Sequence, residues 1–155
     1  MNGLTSKLAR REVHRLRSRM DAIVTGMGTV EADAPMLTAR LADNVPPHRI
    51  AQRIVMCRHR LPSPSSKLIR SADKIPTCLF VTPEIARNAA SLEPLSAAGA
   101  RVIELTTASS IESVGQMLSH RGREKMTNVM LECGPELMGS FMDPSDGRCL
   151  IDECH

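Results

Sequence analysis

The chain has 155 residues, 42% hydrophobic and 24% charged, a composition that fits one globular domain over residues 1–155 with a substantial buried core. Aromatic residues make up only 1%, which disfavours a protein that stacks single-stranded nucleic acid on aromatic rings. The net charge of +3 is uneven, because residues 1–20 carry six basic side chains and one carboxylate. This end suits either a solvated helix face or a phosphate-bearing partner.

The cysteines and histidines exclude two further classes of protein. Five Cys without a CxxC pair argue against a disulfide framework and predict a reducing, cytoplasmic compartment. The pairs Cys57 with His59 and Cys154 with His155 lack the spacing of a structural zinc site, so we predict no metal. No apolar run has the length of a membrane span, and no signal peptide is apparent. We therefore predict neither a membrane nor a nucleic-acid partner.

Hydrophobic periodicity predicts helices and strands in alternation. A helix is expected over 6–20, because apolar residues from Ala9 to Met20 recur at spacings of three and four. Strands are predicted over 21–25, 53–57, 77–82, 101–105 and 128–132, and residues 149–152 carry the pattern of a sixth. Further helices are predicted over 84–98, either continuous or broken at Pro94, over 110–120, and from Pro135 through Met142. This alternation predicts a mostly parallel sheet covered on both faces.

The end of the first strand concentrates special residues. Gly26 and Gly28 form half of a dinucleotide-binding fingerprint, but Glu31 stands where the third glycine belongs, which disfavours a Rossmann site. Thr29 and Asp33 are expected on the loop that follows, where ligand contacts gather. The alternative is that Asp33 only caps a turn.

The end of the fifth predicted strand also carries a polar residue followed by a glycine turn. Glu132 ends that strand, and Gly134 with Pro135 begins a helix whose N-terminus suits an anion. The alternative is that Glu132 caps the helix without any ligand. Arg17, at the edge of the first helix's apolar stripe, is the basic side chain best placed to reach a strand end. Arg40 is either a ligand contact or solvent-facing.

Taken together, these motifs resemble the reductase domain of riboflavin biosynthesis. The matching stretches are His14-Arg-Leu-Arg17, Asp21-Ala-Ile, Gly28-Thr29-Val, Ala32-Asp33-x-Pro35-x-Leu37-Thr-x-Arg40, Leu131-Glu132-x-Gly134-Pro and Ile151-Asp152-Glu153. The resemblance implies a dihydrofolate-reductase-like α/β/α fold with a mostly parallel mixed sheet. It also implies a homodimer that uses NADPH to reduce the ribosyl group of 5-amino-6-(5-phosphoribosylamino)uracil to ribityl.

The resemblance also assigns roles to particular residues. Asp33 and Glu132 would be catalytic. The cofactor would contact Thr29, Asp33, Gly134, Pro135, Glu136, Leu137, Met138, Gly139 and Ser140. The substrate would contact Arg17, Leu37, Arg40 and Glu132, because two arginines suit its phosphate. The nicotinamide would carry the hydride, and the protein would supply alignment and charge.

The sequence departs from the family pattern at several places. Ala34 stands where a second Asp is common before the Pro, and Cys57-Arg-His-Arg60 replaces a loop that often carries a small hydroxyl residue. We also expect the domain to be truncated, without the family's N-terminal and C-terminal strands. The alternative function is therefore a catalytically impaired homologue that serves as a nucleotide-binding module.

Overall fold

The structure, a computed structural model, describes residues 3–39, 49–142 and 151, with side chains from residue 7 onwards. Its described strands form one sheet in the order β4-β3-β2-β1-β5, and every neighbouring pair is parallel. The strands are β1 Ala22–Gly26, β2 Gln52–Cys57, β3 Thr77–Val81, β4 Arg101–Glu104 and β5 Val129–Leu131. Because all five run in one direction, their carboxyl ends meet at a single edge of the sheet.

Seven helices accompany the sheet in the described part of the chain. They are α1 Gly3–Arg17, α2 Met27–Asp33, α3 Lys67–Arg70, α4 Pro83–Ala86, α5 Ala89–Ala97, α6 Ser110–Arg123 and α7 Pro135–Phe141. Side-chain caps define three of the starts, since Ser66, Asn88 and Ser109 accept hydrogen bonds from backbone N–H groups three residues ahead.

The helix boundaries correct several of the sequence predictions. Residues 27–33 were predicted as a loop and form α2, which is short but buries Met27 and Val30. The helix predicted over 84–98, either continuous or broken at Pro94, is two helices. The break falls at Arg87 and Asn88, while Pro94 lies inside α5. Helix α3 was not predicted. Gly99 follows the end of α5 with φ +106°, and an added Cβ would lie 2.9 Å from the Asp73 backbone, so this position favours glycine.

Both faces of the sheet are buried, as the parallel topology predicts. Ile23, Val55 and Leu79 pack on one face with residues of α2, α3 and α5. Val24, Ile54 and Phe80 pack on the other face with residues of α6 and α7. The result is a three-layer α/β/α arrangement in which side chains along each strand alternate between the two layers. Of the predicted sixth strand only Ile151 is described, and it has no regular structure.

One charged residue is fully buried within the sheet. Arg53 in β2 donates to Thr77 Oγ1 at 2.7 and 3.0 Å, to the Leu68 carbonyl at 2.7 Å and to the Met36 carbonyl at 3.2 Å. Burial lowers its pKa to about 10, so the guanidinium keeps its charge at neutral pH. These bonds join β2 to β3, to α3 and to the segment that follows α2.

Candidate functional site

A cleft with a volume of about 780 Å³ lies at the edge where the carboxyl ends of the strands meet. Its walls come from all five strand ends and the helices that follow β1, β4 and β5. The lining residues are Gly26, Met27, Gly28, Thr29, Ala32, Asp33, Met56, Cys57, Arg58, His59, Arg60, Thr82, Leu105, Ser110, Ser113, Gly134, Pro135, Glu136, Leu137 and Ser140. This is the position at which open α/β sheets bind ligands, and the volume is within the range of small-molecule and cofactor pockets.

The two strand-end segments predicted from the sequence do converge on this cleft. Thr29 and Asp33 line it from α2, and Gly134 lines it from the start of α7. Strand β1 lies directly beside β5, so the helices that follow them are neighbours. Gly26 faces α7, because a Cβ built there would be in van der Waals contact with Leu137 Cδ2 at 3.4 Å.

The predicted cofactor segment of α7 contributes only in part. Gly134, Pro135, Glu136, Leu137 and Ser140 line the cleft, as one side of a short helix would. Met138 and Gly139 belong to the same helix but do not line the cleft. Their predicted contact with a cofactor is therefore the least supported within this segment.

The predicted substrate residues Arg17 and Glu132 contact each other rather than the cleft. Arg17 Nε lies 2.5 Å from Glu132 Oε1 and Nη2 lies 2.6 Å from Oε2, which makes a bidentate ion pair. Arg17 Nη1 also donates to the Thr38 carbonyl at 3.1 Å, and His14 Nδ1 lies 3.2 Å from that same oxygen. This cluster joins α1, the end of β5 and the segment after α2.

Leu37 and Arg40 were also predicted to contact the substrate. Leu37 is only 2% exposed and packs in the core with a φ of +53°, so its side chain is a packing element of the segment after α2. Arg40 lies outside the described residues.

Sequence reasoning missed the cleft residues that follow the central and outer strands. Arg58, His59 and Arg60 follow β2, Thr82 follows β3, and Leu105 follows β4, with Ser110 and Ser113 on the helix beyond. A signal for them existed. If the sheet is parallel, then every strand end belongs to the same edge, and the polar residues after the second and third strands are candidates as well.

Two residues that line the cleft carry polar atoms without a hydrogen-bond partner among the described residues. Ser113 lines it and is buried, yet its Oγ has no hydrogen-bond partner among the described residues. Arg58 Nε is likewise buried and unpartnered within the described chain. Such groups are costly unless something satisfies them. A ligand with acceptor oxygens would do so, and a dinucleotide is one ligand of that chemistry.

Thiol and metal chemistry are not supported by this geometry. Burial raises the pKa of Cys57 and Cys78 above their ordinary values, to about 11 for Cys78, and desolvation raises that of Cys133 to about 11 as well. These thiols therefore stay protonated at neutral pH. Within residues 3–39, 49–142 and 151, no three His, Cys, Asp or Glu side chains are grouped as a metal site. In the same ranges no helix is both long enough and apolar enough to cross a bilayer.

The fold and cleft define an α/β protein of the dihydrofolate-reductase-like class, with its pocket at the carboxyl edge of a parallel sheet. A family model described as the RibD C-terminal domain matches residues 1–155. The chain belongs to this family, which is the reductase domain of riboflavin biosynthesis, as its motifs predicted. Reductases of this family depend on a pyridine nucleotide.

Similar proteins agree with this assignment. The chain is 33% identical over 139 residues to the riboflavin biosynthesis protein RibD of Mycobacterium tuberculosis, covering 90% of this chain and 31% of that protein. It is 29% identical over 152 residues to RibD of Bacillus amyloliquefaciens, covering 98% of this chain and 38% of that protein.

Solved structures support the fold. Acinetobacter baumannii RibD, form 2, superposes with a TM-score of 0.68 at 23% identity, covering 94% of this chain and 36% of that one. A deaminase/5-amino-6-(5-phosphoribosylamino)uracil reductase from Thermotoga maritima has a TM-score of 0.58 at 26% identity, with coverage of 88% and 34%. The chain thus spans about a third of the length of the relatives it matches.

Proposed function

We propose that this chain uses NADPH to reduce the ribosyl side chain of 5-amino-6-(5-phosphoribosylamino)uracil to ribityl in riboflavin biosynthesis. The observation that carries the proposal is the convergence of the segments after β1 and β5 on one cleft, in a chain of the RibD C-terminal domain family. We expect the reaction to take place in the cytoplasm and the active form to be a homodimer. The cytoplasmic expectation comes from the cysteine content, and the homodimer from the family resemblance.

The cofactor would lie along the carboxyl edge of the sheet. Thr29 and Asp33 on α2 and the cleft-lining residues of α7 would hold its nicotinamide half, because β1 and β5 are neighbours at that end. The nicotinamide supplies the hydride when the cofactor is bound, and the protein supplies alignment and exclusion of water. NADPH rather than NADH is part of the proposal.

The acidic residues would take different roles. Asp33 lines the cleft, as does Glu136, and would contact the ligand from α2. Glu132 is held by Arg17, so its first role is to orient that guanidinium. Three of the five N–H donors of Arg17 are engaged by Glu132 and the Thr38 carbonyl, which leaves two for a substrate phosphate or hydroxyl.

A nucleotide-binding module without catalysis is the alternative. It is favoured by Ala34, which occupies the family's Asp position at the end of α2 and is exposed with a φ of +45°. The second carboxylate common in the family is therefore missing, and Asp33 stands alone at the end of α2. This alternative predicts nucleotide affinity without turnover.

The test is to purify the chain and follow NADPH absorbance with the phosphorylated ribosylaminopyrimidine, while calorimetry measures NADPH binding separately. Turnover with formation of the ribityl product supports the reductase. Binding without turnover supports the module. A chain that folds, as shown by circular dichroism, yet neither turns over nor binds the nucleotide would refute both.

A further inference from the structure

The segment after α2, residues 34–38, connects the cleft to the Arg17–Glu132 pair. Asp33, which precedes the segment, lines the cleft. At its other end the Thr38 carbonyl accepts a hydrogen bond of 3.1 Å from Arg17 Nη1. The backbone path of residues 34–38 therefore links the orientation of the Arg17 guanidinium to the wall of the cleft.

This segment has a backbone conformation that needs support. Ala34 has a φ of +45° and Leu37 has a φ of +53°, and such left-handed values are unfavourable for residues that carry a Cβ. Conformations of this kind persist only where the surrounding structure holds them. Residues 34–38 therefore depend on contacts from neighbouring elements.

A buried guanidinium supplies one of these contacts. Arg53 in β2 is fully buried, and its Nη1 donates to the Met36 carbonyl at 3.2 Å. Its remaining partners are Thr77 Oγ1 at 2.7 and 3.0 Å, the Leu68 carbonyl at 2.7 Å and Ser71 Oγ at 3.0 Å. Because those bonds fix the guanidinium to β3 and to the region of α3, the Met36 carbonyl is held against the rigid core.

Arg53 itself does not contact a ligand in the cleft. It is absent from the cleft lining, and its side chain does not reach the surface. A buried guanidinium is costly to desolvate, and an apolar side chain at this place in a strand would serve packing as well. The bond to Met36 therefore points to a role beyond packing, exerted through the backbone of residues 34–38.

We propose that Arg53 is a positioning residue for substrate binding. Through the Met36 carbonyl it fixes residues 34–38, and it thereby holds the Thr38 carbonyl where that oxygen orients Arg17 towards the phosphorylated pyrimidine. This inference rests on the proposed function, because the role of Arg17 in binding the substrate comes from there.

The cofactor side of the cleft should not depend on Arg53. Asp33 belongs to α2, and the Met27 and Val30 side chains of that helix are buried in the core. This burial anchors Asp33 whether or not the Met36 carbonyl has its partner. Loss of Arg53 should therefore change substrate binding and leave NADPH affinity unchanged.

The test compares the wild-type chain with Arg53→Met, Arg53→Lys and Ser71→Ala. Absorbance of NADPH gives kcat and the KM for the phosphorylated pyrimidine, calorimetry gives the Kd for NADPH, and urea unfolding gives stability. Hydrogen exchange at the backbone amides of residues 36–38 reports on the segment without any need for activity. Ser71→Ala is the matched control, because it removes one partner of Arg53 and spares the contact with Met36.

We expect Arg53→Met to raise the KM for the pyrimidine on the order of tenfold, since small displacements of a positioning group have effects of this size or larger. Exchange at residues 36–38 should become faster in this variant, and the Kd for NADPH should stay unchanged. Ser71→Ala should unfold at a lower urea concentration but keep the wild-type KM and the wild-type exchange at residues 36–38. A role in stability alone would lower the active fraction of Arg53→Met and leave its KM unchanged.

The outcomes separate the inference from the proposed function. An unchanged KM in Arg53→Met, or an equal loss of NADPH affinity, would overturn the inference. If the wild-type chain shows no turnover, then the proposed function fails, and unchanged exchange at residues 36–38 in Arg53→Met would still overturn the positioning role. Arg53→Lys keeps the buried charge but lacks the planar fork that reaches Thr77 and Met36 together, so it gives the same test if Arg53→Met does not fold.

Discussion

The Arg17–Glu132 ion pair offers the sharpest prediction, because it joins residues 115 positions apart. Removing one partner of a buried pair costs about 3–5 kcal/mol, whereas an exposed pair contributes about 0.2–1 kcal/mol. These side chains are 15% and 19% exposed and bonded through two nitrogens, so we place the coupling between those limits, at about 2 kcal/mol. Urea unfolding of Arg17→Met, Glu132→Gln and the double variant measures it as a double-mutant cycle.

The same helix provides a control. Arg15 and Glu12 form an ion pair at 3.9 Å with side chains 62% and 58% exposed, and its coupling should fall below about 0.5 kcal/mol. If the Arg17–Glu132 coupling is equally small, then the pair does not hold α1 to the end of β5 and the reasoning fails. Turnover should fall in Glu132→Gln, since Arg17 loses its orientation.

Three further predictions concern single positions. Asp33→Asn should lower kcat of the proposed reductase at least tenfold with unchanged circular dichroism, and full activity would remove Asp33 from the site. Gly26→Ala should be tolerated, whereas Gly26→Val should displace Leu137 and cost about 1–3 kcal/mol in urea unfolding; equal stability would refute this contact. The backbone N–H of Asn128, with that of Thr127 and the Arg49 guanidinium, lowers the pKa of Asp21 below 3.8. Its stabilisation is therefore present above pH 3.8 and lost as the pH falls through the folded-state pKa. Because solvent screens this site, Asp21→Asn should destabilise the protein by about 1 kcal/mol at pH 7, and the difference should shrink as the pH is lowered below 3.8. A pH-independent difference would contradict that.

The five strands were predictable because their signal is local. Each is a short apolar run bounded by Pro, Gly or charged residues, and each observed strand lies within one or two residues of its prediction.

Helix α2 was missed for a physical reason. It has seven residues beside Gly26, Gly28 and Pro35, too few for a helical period to show, and it is stabilised by burying Met27 and Val30 against the sheet.

The sequence predicted the cleft residues that belong to recognisable strand-end motifs, and it did not predict which charged residues contact each other. Asp33 and Gly134 were expected at one cleft because both follow strands, and the structure brings them there. Glu132 and Arg17 were also assigned to the ligand, but the structure pairs them with each other. A sequence shows that two opposite charges are present, and not that the fold places them within 2.5 Å.

The sequence by itself determined the strands, their parallel arrangement and the family, because apolar runs and short motifs depend on neighbouring residues. Only the tertiary structure decided the order of the strands, and with it the partners of Arg53, the Arg17–Glu132 pair and the presence of Arg58 in the cleft. These contacts depend on which strand lies beside which. That order is set by burial of both sheet faces over the whole chain, and no local pattern encodes it.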